Sequence, residues 1–161
     1  MIQTATETDF TFYIQTEDNR INTSVVSTQI RHLLKFTNDM DKSIHYVYGT
    51  DEDIKNRYTK FEVDYDVAAS ANVYDGSVDL SPAGYWKYEV YEVSWVGAVA
   101  ISSGNAPVTE DDVLPVTPTH GVVQGLVTKG KMYVADKSGT AQVQYTQREA
   151  PESTNYIYYG E

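Results

Sequence analysis

The stretch Gly84-Tyr85-Trp86-Lys87-Tyr88-Glu89-Val90-Tyr91-Glu92-Val93-Ser94-Trp95 constrains this chain more than any other. On an extended backbone Trp86, Tyr88 and Val90 share one side and Lys87 and Glu89 the other, the period-2 pattern of a strand with one dry face. Such a strand needs neighbours in a sheet and a second layer over its apolar side. After Tyr91 the apolar parity changes, because Val93 and Trp95 are out of phase with Trp86 and Val90. A strand cannot exchange its faces without an extra residue, so the pattern predicts a β-bulge near Tyr91 and Glu92. The preceding Asp79-Leu80-Ser81-Pro82-Ala83-Gly84 predicts a tight reversal.

The same alternation recurs elsewhere at shorter range. Phe10, Phe12 and Ile14 predict an opening strand, Val25 and Val26 a short second one, and His32, Leu34 and Phe36 a third. Ile44, Tyr46 and Tyr48 form another face, closed by Gly49-Thr50-Asp51. Phe61, Val63 and Tyr65 oppose Lys60, Glu62 and Asp64, which reads as an antiparallel strand with one wet face. Residues 122–128 and 131–134 read as two strands joined by a turn at Lys129-Gly130, and Ala141, Val143 and Tyr145 as a last one. With 14 Tyr and abundant Val and Thr, the composition suits pleated, half-buried surfaces. The fold class that follows is all-β, an antiparallel sandwich spanning residues 1–147. Phe12, Phe36, Phe61, Val63, Trp86, Tyr88 and Val90 are predicted to face one another between two sheets about 10 Å apart.

Two segments break the pattern. Residues 97–121 are rich in Ala, Ser, Gly, Pro and acid, and irregular loops of that length are rare inside a compact domain. They predict a functional loop or a segment ordered by a partner, with Val113, Leu114 and Val116 as its apolar contacts. Residues 148–161 form a polar, proline-bearing C-terminal arm ending in Tyr156, Ile157, Tyr158 and Tyr159. Such an arm lacks the apolar surface to order itself and suits strand addition to a neighbouring subunit.

Charge and residue inventory exclude several function classes. Lys+Arg is 12 and Asp+Glu 23, a net charge of −11, which repels phosphate backbones and anionic lipid and argues against nucleic-acid or membrane partners. With no cysteine, disulfides, thiolate metal sites and thiol catalysis drop out. No apolar run approaches the roughly 20 residues that span a bilayer, and the opening residues lack signal-peptide character. His32 and His45 sit within strand patterns as satisfied imidazoles, and His120 as a solvated loop residue. The clusters Asp39/Asp41, Asp51-Glu52-Asp53, Asp64/Asp66 and Glu110-Asp111-Asp112 match no calcium-loop spacing and read as solvated turns. Trp86, Trp95, Tyr85 and Tyr91 offer a sugar platform only where strand packing leaves them exposed. No catalytic constellation, metal site or cofactor is expected.

Three stretches then carry a resemblance: Asn56-Arg57-Tyr58-Thr59-Lys60-Phe61-Glu62-Val63, the run from Leu80-Ser81-Pro82-Ala83 through Glu92, and Lys129-Gly130-Lys131-Met132-Tyr133-Val134. Together with the aromatic C-terminus they resemble small immunoglobulin-like β-sandwich virion proteins of tailed bacteriophages, including crAss-like and other phages of Bacteroidota. The resemblance implies an immunoglobulin-like fold and a structural virion part, an auxiliary or decoration capsid protein or a neck or tail component. It implies other virion proteins, or further copies of the chain, as partners, and assembly in the bacterial host cytoplasm. The alternative is a carbohydrate-binding or adhesive β-sandwich module using Trp95 and surface tyrosines.

Overall fold

The computed structural model describes residues 1–138. Among these residues nine strands follow in chain order: β1 (Ile2–Ala5), β2 (Phe10–Ile14), β3 (Ile30–Asn38), β4 (Ile44–Tyr48), β5 (Asp51–Ile54), β6 (Thr59–Tyr65), β7 (Ser77–Val78), β8 (Gly84–Ser94) and β9 (Val122–Ala135). They form a five-stranded sheet, β1-β9-β8-β3-β4, and a smaller one, β2-β6-β5, with β7 beside β6. The fold is all-β, and its two sheets curl around one core as a half-barrel. It is not wholly antiparallel: β1 runs parallel to β9 and β7 parallel to β6.

Phe12, Phe36, Phe61, Val63, Trp86 and Val90 lie together in the core between the sheets, joined by Leu34, Val47, Met132 and Val134, with Tyr88 partly buried against them. The Phe12 and Phe61 rings stack at 5.2 Å, directly across the β2–β6 ladder. Such cross-strand ring pairs set register as well as stability.

Four expectations need correction. The residues 122–135 are one strand, without a turn at Lys129-Gly130. Gly130 pairs with Tyr88, and a Cβ there would sit 2.5 Å from the Tyr88 hydroxyl and 2.7 Å from its ring. The glycine therefore admits a ring to the ladder instead of bending the chain. The bulges do occur, between Val90 and Tyr91 and between Glu92 and Val93, but the extra residues belong to β9. Against β3, β8 keeps unbroken register from Trp86 to Ser94. Its parity change has another cause: Val93 and Trp95 belong to a second core on the outer face of the large sheet. Val25 and Val26 form no strand and lead into a 3-10 turn at Ser27–Gln29. Finally, Asp51-Glu52-Asp53 is not a solvated turn but strand β5, paired with β6.

Candidate interaction surfaces

The ionisable groups inside the fold are ties between chain segments. β4 ends its pairing with β3 at Leu33, which leaves the His32 amide without a ladder partner. That amide donates to Glu52 Oε2 at 3.1 Å, and His32 Nδ1 meets Glu52 Oε1 at 2.7 Å. Both side chains are almost fully buried, so Glu52 joins the small sheet to the edge of the large one. Glu92 is also buried and accepts from the backbone amides of Ile21 and Asn22 at 2.9 and 2.7 Å. A buried carboxylate needs such donors, and here they fix the long connection from β2 to β3. His45 packs beside the Trp86 ring at 5.7 Å, and burial lowers its pKa. His120 is bonded to Thr117.

On the outer face of the large sheet, the 97–121 segment folds back onto its own strands. Ala106 is buried against Leu33, Tyr48, Val93 and Trp95, with Val99 and Ile101 packed at the margin. Gly121 lies on the Trp95 ring, where a Cβ would approach within 2.5 Å. The Tyr48 hydroxyl donates to the Pro107 carbonyl at 2.8 Å. Glu110 closes the layer: it pairs with the Lys35 ammonium and accepts from the Tyr46 hydroxyl at 2.5 Å. Burial opposes ionisation of both Lys35 and Glu110, yet their mutual hydrogen bond and charge hold Lys35 above and Glu110 below its ordinary pKa. Burial and the Glu110 bond push the Tyr46 phenol up to about 12. This segment is therefore a cover over the molecule's own strands. At its tip Val113 and Val116 are 94% and 80% exposed, and Leu114 is half-buried. Tyr156, Ile157, Tyr158 and Tyr159 lie outside the described residues.

Trp86 and Trp95 are both fully buried, so neither can serve a sugar. Tyr13, Tyr58 and Tyr85 are exposed, and they belong to two other ring pairs, the second completed by the half-buried Tyr133. Tyr13 and Tyr58 meet at 5.6 Å on the outer side of the small sheet, and Tyr85 and Tyr133 at 5.1 Å on the large one. The Tyr85 pair stands beside Lys87, Lys129 and Lys131, on the part of the outer face away from the 97–121 cover. A shallow groove of about 630 Å³ runs past it, lined by Asp39, Met40, Ala83, Gly84, Tyr85 and Lys131. Reading Lys129-Gly130 as a turn hid this face, although Lys129, Lys131 and Tyr133 alternate with Gly130, Met132 and Val134 as one strand requires.

Among the described residues no helix is long and apolar enough to cross a membrane. In comparisons with known proteins, no family model, no curated protein and no solved structure matches this chain.

Proposed function

We propose that this chain is a structural virion protein of a tailed bacteriophage, a capsid auxiliary or decoration protein or a neck or tail component, acting by protein–protein assembly. The observation that carries the reading is the outward strand face holding Tyr85, Lys87, Lys129 and Lys131, with Tyr133 half-buried beside them. Exposed aromatic rings anchor protein contacts, and charges around them select the partner. The face is built on paired strands and is rigid before binding, which lowers the entropic cost of docking. The resemblance of segments 56–63, 80–92 and 129–134 to phage β-sandwich proteins supports the same reading, with the half-barrel as a variant of the immunoglobulin-like sandwich. Its partners are other virion subunits or further copies of itself, met during assembly in the host cytoplasm. Quantitative mass spectrometry of gradient-purified particles should find the protein at a fixed copy number. Its presence in lysates but absence from particles would sink the reading.

The Tyr85–Tyr133 pair beside the groove also favours a second reading, a carbohydrate-binding or adhesive module. Glycan-array binding that disappears with Tyr85→Ala would support it.

A further inference from the structure

The two outward faces of the half-barrel carry opposite charge, and each breaks the same rule of sheet construction. On the large sheet Lys87 stands directly opposite Lys131 across β8 and β9, flanked by Tyr85 opposite Tyr133. On the small sheet Asp51 stands directly opposite Glu62 across β5 and β6. Like charges directly opposed on an antiparallel ladder destabilise it. The acidic pair is partly relieved by Lys60, which reaches both Asp51, at 3.5 Å, and Glu62. The basic pair has less relief. Lys87 has Asp39 at 3.4 Å, while Glu89, the cross-strand partner of Lys129, turns to Lys35 at 3.6 Å. Among the described residues neither Lys129 nor Lys131 has a carboxylate within ion-pair distance. Local rules broken without compensation in the fold are the places where function is expected.

We infer that the basic face of one copy docks on the acidic face of the next, so that the chain associates with itself head to tail. The inference rests on the assembly reading above and names the partner, a second copy. Charge complementarity carries it: three lysines on one face meet Asp51, Asp53, Glu62 and Asp64, which share the outward side of β5 and β6 with Lys60. Exposed rings lie on both faces, Tyr85 on one, Tyr13 and Tyr58 on the other. A face-to-back contact is heterologous, so it repeats from copy to copy into a ring or a row. That is the geometry a multi-copy particle component uses.

Sedimentation velocity of the full chain, over a concentration series, reads the outcome. The net charge of −11 makes copies repel one another at long range, so salt alone does not decide and charge swaps do. The wild type should show concentration-dependent species heavier than a monomer. Lys87→Glu/Lys131→Glu and Asp51→Lys/Glu62→Lys should each weaken self-association by about tenfold or more, since facing like charges are strongly unfavourable. Mixing the two variants should restore association, because the mixture holds one intact basic face and one intact acidic face. Thermal melts establish that each variant folds, with Lys129→Glu/Lys131→Glu and Asp53→Lys/Asp64→Lys in reserve. A wild type that stays monomeric throughout, or a mixture that recovers nothing, overturns the inference. A monomer that still enters particles at fixed copy number removes the stacking alone. A self-associating chain absent from particles removes the virion reading and leaves the stacking.

Discussion

The two faces of the large sheet bury tryptophan in different ways. Trp86 lies on the inner face with 12 other buried hydrophobic residues, most of them from the two sheets, and its indole N–H reaches the Pro82 carbonyl at 3.2 Å. Trp95 lies in the outer layer with four other buried residues, and its indole N–H has no partner among the described residues. Inside, strand packs on strand, and both layers are held by backbone ladders. Outside, an irregular segment closed by a few internal bonds, such as Gly97 N–H to Pro118 O at 3.1 Å and Gly121 N–H to Asn105 O at 2.8 Å, is tied to the strands by side chains such as Tyr48, whose hydroxyl donates to Pro107 O at 2.8 Å. Regions with few ladder bonds and a small apolar core open at lower free energy than the whole molecule. The comparison therefore predicts one global unit and one layer that opens by itself.

The largest effect should come from the inner face. Trp86→Ala should cost about 3–5 kcal/mol, as emptying a buried aromatic site does, out of a total of about 5–15 kcal/mol for a domain. Chemical denaturation should show the whole transition moving. Trp95→Ala should act differently, with hydrogen exchange losing protection across 97–121 while β3 and β8 keep theirs. If Trp95→Ala instead collapses β3 and β8 as Trp86→Ala does, the two layers are one cooperative unit.

Acid should act on the two layers in different pH ranges. The folded-state pKa of Glu110 lies below its ordinary value, so its contribution is fully present above the ordinary carboxylate range and is lost as pH falls through the depressed value. His45 is depressed too, by burial. Its contribution starts to fade at a higher pH, below about 6.5, and it belongs to the inner face beside Trp86. Glu110→Gln should remove the outer closure at neutral pH, at a cost of about 1.5–3 kcal/mol for bonds to a charged group. Protection of the 97–121 amides relative to their intrinsic exchange rates should then be the same in the wild type at low pH as in the variant at neutral pH. Unchanged exchange in Glu110→Gln would show that Glu110, Lys35 and Tyr46 do not close the layer.

What was legible in the sequence follows the same division. Strand alternation reveals an inner face because each strand carries its own record of it, as Phe61 and Val63 against Lys60 and Glu62 show. A second core on the opposite face of one strand leaves only a parity break, which a bulge explains equally well until Ala106 and Gly121 are placed on Trp95. Glu52 and Glu92 were hidden because an acidic residue in a polar run carries no sign of burial. Their partners, the amides of His32, Ile21 and Asn22, come from distant positions. The aromatic–lysine face was hidden for a local reason. Glycine is common in turns, and only the position of Tyr88 across the ladder shows why the chain runs straight through Gly130.

The smallest effect on stability should come from the tip of the outer layer. Val113 and Val116 are 94% and 80% exposed, so they add almost nothing to either core. Val113→Ser/Val116→Ser should leave the unfolding free energy within about 0.5 kcal/mol of the wild type, the usual range for surface positions away from special features. Two exposed valines on a segment otherwise anchored by Pro107 and Glu110 are nevertheless an unsatisfied apolar surface, and a neighbouring subunit could cover them. Measured together, stability and particle incorporation separate the two roles. An unchanged melt with reduced incorporation would mark the tip as a contact made only in the assembled particle. An unchanged melt with full incorporation would confine assembly to other surfaces, of which the Tyr85–Lys131 face is the first to test. A markedly lower melt would mean that the tip packs on the protein itself, and the outer layer would then extend beyond Ala106 and Trp95.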